Sequence, residues 1–194
     1  MSNALRQYLN DNASLTEAEL QTIESLASPA VIKKRQHLLR AGDICRHHTF
    51  IIKGCMKVYR LADDGSEHVI KFAAENWWAN DRESLLSGRP SDSYIAALED
   101  TEVLQWTNPQ FEHLFQTLPA FDALFKRLVS RALDASQNRI YTTISGTADE
   151  RYRHFLQRYP DLIGRIPLHL IASYLGLTRE TLTRIRQAER AEKM

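Results

Sequence analysis

The stretch from Pro167 to Arg186, Pro-Leu-His-Leu-Ile-Ala-Ser-Tyr-Leu-Gly-Leu-Thr-Arg-Glu-Thr-Leu-Thr-Arg-Ile-Arg, constrains this chain more than any other. It reads as two short helices joined at Gly176. Pro167 suits a first helical position, where its missing N–H costs nothing. Leu168, Ile171, Tyr174 and Leu175 then recur at helical spacing. Gly176 can take the left-handed conformation that ends a helix. Thr178 caps the next helix, Leu177 and Leu182 stand at the two ends of a hydrophobic staple, and Ala172 lets the helices approach closely. Along the second helix Leu182 and Ile185 point one way. Glu180, Thr183, Arg184 and Gln187 point the other way, with Arg179 and Arg186 on the flanks. Such a face of guanidinium, carboxylate and amide groups can hydrogen-bond base edges in a major groove. The pattern predicts a helix-turn-helix with its recognition helix at Arg179–Gln187. The competing reading is a surface helical hairpin carrying an ordinary Glu180/Arg184 pair.

The charge distribution favours the first reading. The net charge of +1 conceals an asymmetry: residues 1–130 hold 14 Lys/Arg against 17 Asp/Glu, and residues 131–194 hold 11 against 7. The positive field therefore lies on the half that contains the helix-turn-helix, where phosphates would sit. Arg153 is a candidate phosphate contact. No apolar run approaches the ~20 residues needed to span a bilayer, and the N-terminus lacks a secretory core, so no membrane partner and a cytoplasmic location are expected. The two cysteines, Cys45 and Cys55, match no zinc or C-x-x-C spacing and read as free thiols of a reducing compartment.

Residues 1–27 read as helical, with a start at Ser14-Leu-Thr-Glu-Ala-Glu-Leu-Gln, an apolar face of Leu20, Ile23 and Leu26, and a stop at Ser28-Pro29. From Val31 to Trp106 the texture becomes short β runs at Val31–Lys33, His37–Leu39, Thr49–Ile52, Met56–Leu61, His68–Phe72, Ser93–Ala97 and Glu102–Trp106. Asp64-Gly65 predicts a two-residue hairpin turn. Evenly spaced strands with glycine turns argue for an antiparallel roll or sandwich. Residues 75–90 would hold a short helix near Arg82–Ser87 and a ligand loop. The candidate effector pocket there comprises Trp77, Asn80, Arg82, Ser91, Ser93 and Tyr94.

From Asn108 to about Thr143 the pattern is helical again. Phe111, Leu114, Leu118, Phe121, Leu124, Phe125, Leu128, Ala132, Leu133, Ser136 and Ile140 form an apolar stripe whose later part is a heptad-like seam between two copies of the chain. A homodimer is expected, since a helix-turn-helix commonly reads two half-sites one DNA turn apart. A hinge near Gly146 and a helix at about Ala148–Tyr159, with Tyr152, Phe155 and Leu156 inward, precede the helix-turn-helix. The expected fold is α+β: an N-terminal helix and β-roll domain over 1–107, connecting and dimerisation helices over 108–145, and a helix-turn-helix domain over 146–194.

This order of elements resembles the Crp/Fnr superfamily of bacterial transcription regulators. Arg40-Ala-Gly-Asp43, Phe50-Ile-Ile-Lys-Gly54 and the turn at Asp64-Gly65 are similar to the cyclic-nucleotide-binding-domain pattern. Thr178-Arg-Glu-Thr-Leu-Thr-Arg-Ile185 is close to the recognition helix of the catabolite-activator members, whose Arg-Glu-x-x-x-Arg triplet reads a TGTGA-type half-site. The resemblance implies that Arg179 and Arg184 donate to guanine O6/N7 and that Glu180 accepts from cytosine N4. It also implies double-stranded DNA and RNA polymerase as partners, and a small-molecule effector that shifts the two recognition helices through the dimer helix and hinge.

The resemblance is uneven. The family's ribose-binding glutamate and phosphate-binding arginine are replaced here by Ala79-Asn80 and Ser91-Asp92-Ser93, and Asp92 would repel a phosphate. Response to cyclic AMP is therefore not expected, and the identity of any cofactor or effector stays open. The iron–sulfur members use an N-terminal cysteine cluster, and no cysteine precedes Cys45. The sequence ends at Met194, so the usual β-hairpin wing is not expected. Two further readings remain: a β-roll ligand-binding or interaction module with a degenerate DNA-binding end, and a cupin-like metal enzyme. Against the enzyme, His47 and His48 are adjacent and face opposite ways on a strand, and His37 and His68 complete no H-x-H pattern.

Overall fold

A computed structural model describes residues 3–192, which fall into two units, residues 3–61 with 70–129 and residues 62–69 with 130–192. In the first unit the amphipathic N-terminus forms two helices. Helix α1 (Asn3–Asn12) buries Leu5 and Leu9, and α2 (Glu17–Ser25) buries Leu20 and Ile23. The break falls at Thr16, whose side chain accepts from the Glu19 N–H while Glu19 reaches back to the Thr16 N–H, a reciprocal cap. The helix start expected at Ser14 thus falls two residues later, at Thr16, whose side chain forms the capping box with Glu19.

Seven strands follow: β1 (Ser28–Ile32), β2 (His37–Leu39), β3 (His47–Lys53), β4 (Met56–Leu61), β5 (Glu67–Ala73), β6 (Tyr94–Ala97) and β7 (Thr101–Thr107). They form two antiparallel sheets, ordered β1-β7-β3 and β2-β6-β4-β5. The period-two alternation sorts the side chains. Ile51 and Val103 join Leu39, Met56, Val58 and Ile95 in a core between the sheets. Their neighbours Phe50 and Leu104 point the other way, into a second core with Leu5, Leu9, Leu20, Ile23, Trp106 and Phe111. That second core attaches the helices to the outer face of the three-stranded sheet. The Trp106 indole N–H donates to the Ile23 carbonyl at 2.9 Å, so burying its polar edge costs little.

The turn at Asp64-Gly65 is one residue longer than expected. The Gly65 N–H donates to the Ala62 carbonyl, the Ala62 N–H donates to Ser66, and Gly65 lies at φ +80°. This is a type I turn closed by a left-handed glycine, the geometry of a three-residue hairpin loop.

Helix α3 (Arg82–Ser87) follows β5, and α4 (Asn108–Thr117) and α5 (Pro119–Ser145) follow β7. The helical stretch expected from Asn108 is divided at Leu118, whose ψ is 86°. Pro119 is the cause: its ring clashes with a helical conformation at the preceding residue, and it has no N–H to continue the ladder.

The second unit contains the end of α5, then α6 (Ala148–Arg158), a 3-10 turn at Pro160–Leu162, α7 (Leu168–Leu175) and α8 (Arg179–Glu192). Gly146 separates α5 from α6. A Cβ there would lie 2.6 Å from the Thr142 carbonyl oxygen, so the chain turns tightly only because this position is glycine. Thr147 and Glu150 then cap α6 reciprocally.

Candidate nucleic-acid interface

The geometry of the second unit follows from a few residues. Pro167 caps α7 rather than opening it, with φ −57° and ψ 136°, one position earlier than expected. Leu170, Ile171, Ala172 and Leu175 are buried; Leu170, absent from the sequence reading, takes the place expected for the half-buried Leu168. Gly176 adopts φ 64° and ψ 37°, and the Leu177 N–H reaches back to the Ala172 carbonyl at 3.0 Å. This is the Schellman arrangement that closes a helix end. The Thr178 hydroxyl accepts from the Thr181 N–H at 3.1 Å and so caps α8.

Leu182 and Ile185 anchor α8, with 0% and 7% of their surface exposed. Thr178, Arg179, Glu180, Arg184 and Gln187 are exposed, while Thr183 is half-buried and donates its hydroxyl back to the Arg179 carbonyl at 2.8 Å. Arg179, Glu180 and Arg184 are therefore all solvent-facing on a single anchored helix, Glu180 and Arg184 on one face and Arg179 on its flank. Helix α8 runs to Glu192, five residues past the expected Gln187. The last residues of the chain, on which the expected lack of a wing rests, lie outside the described residues.

Leu133, Ile140, Tyr141 and Ile144, along the last turns of α5, are 58%, 59%, 72% and 80% exposed. Large apolar side chains at these spacings form a stripe that the other described residues leave exposed.

The six residues of the candidate effector pocket lie in the first unit and do not converge. Trp77 packs against the inter-sheet core, and its carbonyl accepts from the Ile51 N–H. The Asn80 amide approaches His48 Nδ1 at 3.5 Å, and Arg82 is exposed at the start of α3. Ser91 and Ser93 are buried together: the Ser91 hydroxyl donates to Asp81, and the Ser93 hydroxyl accepts from Arg60 Nε at 3.3 Å. Tyr94 stacks on Tyr59 at 5.1 Å. A cavity of about 110 Å3 within this unit is lined by ten residues, including Leu39, Cys45, Thr49 and Ile95, and by none of the six. Asp81, which the sequence reading passed over, organises the loop. It also accepts from the Glu83 and Ser84 N–H groups and so caps α3.

Both cysteines are buried, and burial pushes the Cys45 thiol above its usual range. Deprotonation is disfavoured there, and with it nucleophilic reactivity. His48 stacks on Phe111 at 3.7 Å with its Nε2 3.1 Å from Asn108 Oδ1, whereas His47 is exposed. Burial pulls His48 down to about 4 against a weaker upward pull from Asn108.

Residues 29–118 match the family model of the cyclic nucleotide-binding domain. The transcriptional activator protein anr of Pseudomonas aeruginosa is 26% identical over 190 residues, covering 89% of this chain and 75% of that protein. The nitrogen fixation regulation protein FixK of Bradyrhizobium diazoefficiens is 27% identical over 183 residues, covering 89% and 76%. Residues 29–118 thus carry a cyclic nucleotide-binding domain, and most of the chain is similar to regulators of the Crp/Fnr type. Solved structures extend the likeness to the fold: FixK2 of Bradyrhizobium japonicum has a TM-score of 0.75 at 18% identity, covering 86% of each chain. A CooA mutant of Carboxydothermus hydrogenoformans has a TM-score of 0.74 at 19% identity, covering 99% of this chain and 86% of that one. The chain thus has the expected α+β architecture of antiparallel sheets, a long helix and C-terminal helices, and the relatives it matches are transcription regulators.

Proposed function

We propose that this chain is a sequence-specific DNA-binding transcription regulator of the Crp/Fnr type that reads a palindromic site as a homodimer and does not respond to cyclic AMP. The observation that carries this reading is the exposed Arg179-Glu180-Arg184 face of α8, held by the Thr178 cap and the buried Leu182 and Ile185. In a major groove, Arg179 and Arg184 donate to guanine O6 and N7, Glu180 accepts from cytosine N4, and Thr178 and Thr183 contact the adjoining edge or phosphate. The names of the relatives, transcriptional activators and regulators, support the same reading.

The dimer follows from the exposed stripe on α5. A second copy would cover Leu133, Ile140 and Ile144 and place two α8 helices one DNA turn apart. The working division is a sensor-like domain over 1–107, dimer helices over 108–145 and a DNA-reading domain over 146–194. Its setting is the cytoplasm, with RNA polymerase as the protein partner. A small effector that shifts the two recognition helices remains part of the reading.

The test is a fluorescence-anisotropy titration with a palindromic duplex at two salt concentrations. Affinity should fall steeply with salt, because Lys and Arg displace condensed counterions. Flat, weak binding to every sequence tried would leave the alternative of an interaction module.

A further inference from the structure

The helices of the first unit cover only part of the outer face of the three-stranded sheet. Ala30 and Ile32 of β1 pack towards the inter-sheet core, so alternation turns Pro29 and Val31 outward. On that outer face Leu104 of β7 stands beside Pro29 and Phe50, and Glu102 stands beside Val31. The Phe50–Leu104 end is packed under α1, α2 and α4. Towards Glu102 the cover runs out. Val31 is 53% exposed, and a cavity of about 630 Å3 opens there. Leu5, Pro29, Val31 and Ile52 give it apolar walls, and two carboxylates, Glu24 and Glu102, also line it. No Lys, Arg or His does so.

The charge around this cavity is negative. Glu24 is 9% exposed, and the Arg6 Nε and Nη2 donate to its two oxygens at 3.2 and 2.6 Å. The same guanidinium donates to Glu17 at 2.6 Å, so one cation serves two carboxylates. A carboxylate has about four acceptor sites, so the bidentate pairing leaves Glu24 able to accept again. Glu102 lies opposite Lys53 in the β3–β7 register, yet no ion pair reaches it among the described residues. Setting Arg6 and Lys53 against Glu17, Glu24 and Glu102 leaves one negative charge, 2 − 3 = −1.

Volume and lining narrow the ligand. The cavity falls within the range of small organic-ligand pockets, which are mainly apolar with a few polar groups. A hard metal ion needs more oxygen donors than two carboxylates on apolar walls supply. An organic ammonium needs only an acceptor for its charge and an apolar wall for its hydrocarbon.

We infer that this cavity binds a small primary amine with an aliphatic body, its ammonium drawn to the Glu24 and Glu102 carboxylates and its hydrocarbon along Pro29, Val31 and Ile52. The site shares no lining residue with the candidate effector pocket and stands whether or not the chain reads DNA.

Calorimetric titration of the full chain with hexylamine, hexanol and hexanoate tests it. Hexylamine should bind saturably at one per chain, at least about tenfold tighter than hexanol, and hexanoate should not saturate. Glu102→Gln, which breaks no ion pair, should weaken hexylamine about threefold or more and leave hexanol unchanged. Val31→Lys, at an exposed position on the apolar wall, should weaken hexylamine about tenfold or more by placing a cation in the cavity. Both positions are exposed, so the melting temperature of each variant should stay near that of the parent. Absent binding, hexanol or hexanoate bound as tightly as hexylamine, or hexylamine binding unchanged in either variant would overturn the proposal. So would dissociation of the chain's assembly by Val31→Lys, read by sedimentation, which would assign this face to a second copy.

Discussion

The Asp81 carboxylate accepts a hydrogen bond from the Ser91 hydroxyl across the loop between β5 and β6, which sets a negative charge against a buried serine of that loop. One carboxylate oxygen caps α3 through the Glu83 and Ser84 N–H groups, and the other takes the serine. Ser91 in turn accepts from the Ser93 N–H at 3.0 Å. The Ser91 hydroxyl that would face a phosphate is thus already committed to a carboxylate. A second anion about 4 Å away would meet a repulsion of roughly 4 kcal/mol at an intermediate dielectric. Cyclic AMP at millimolar concentration is expected to leave the melting temperature unchanged in a thermal-shift assay. Asp81→Ala should lower stability by about 1–3 kcal/mol through loss of the cap and an unpaired serine, read from urea unfolding.

His48 supplies a pH dependence with a defined sign. Its pKa is lowered from 6.5 to about 4 by burial against Phe111. Below about pH 6.5 the unfolded chain takes up a proton that the folded chain refuses, so stability falls as pH drops from 6.5 towards 4 and this contribution then levels off. The full loss is on the order of 3 kcal/mol. Urea midpoints at pH 7 and pH 4.5 should separate accordingly, and His48→Gln should shrink the difference. An unchanged difference in that variant would remove His48 as the cause.

The parts of the fold that were legible in the sequence are those where a local signal had no competitor. Strands β2 and β4 stand where alternation and flanking turn residues place them, at His37–Leu39 and Met56–Leu61. Strand β3 starts at His47 rather than at the expected Thr49, because His47 and His48 pair with Thr107 and Trp106, a partnership no local pattern announces. Strand β1 begins at Ser28-Pro29, read as a helix stop, because an edge strand tolerates a proline that lacks an N–H. The α8 face could be read because cap, turn and anchor all lie within twenty residues. Glu24 and Glu102 come to one cavity only through the packing of helices on the three-stranded sheet, and no spacing along the chain announces it. Likewise, Asp81 is an unremarkable loop acid until strand register brings Ser91 to it.

Gly54 and Gly42 should respond differently to alanine. Both have positive φ, +108° and +91°, which a side chain resists. A Cβ at Gly54 would also lie 2.5 Å from Thr101 Oγ1, 2.7 Å from the Thr101 Cα and 2.9 Å from the Asp100 carbonyl, while at Gly42 it would meet nothing within 4 Å. Gly42→Ala is expected to cost about 1–2 kcal/mol from backbone strain alone. Gly54→Ala adds a clash with backbone that cannot swing aside, so its cost should exceed this by about 2 kcal/mol or more. Paired chemical-denaturation curves decide it, and equal midpoints would refute the close approach.

Glu180 and Arg153 separate two ways of contacting DNA. Both are exposed in the second unit, but Glu180 lies in the first turn of α8 beside Arg179, whereas Arg153 lies on α6. A carboxylate cannot favour a phosphate, so whatever Glu180 contributes must come from a base edge, through the donor amino group of a cytosine. Glu180→Ala should therefore leave affinity for a random duplex unchanged or raise it slightly. It should also relax preference at one position of each half-site by about 1–3 kcal/mol, measured by selection from a randomised duplex pool. Arg153→Ala should weaken every sequence about equally and reduce the slope of log affinity against log salt by about one. The two variants thus give opposite patterns, one changing the consensus and the other the salt slope. If Glu180→Ala returned the parental consensus while Arg153→Ala shifted it, the face that reads the bases would be α6 rather than α8.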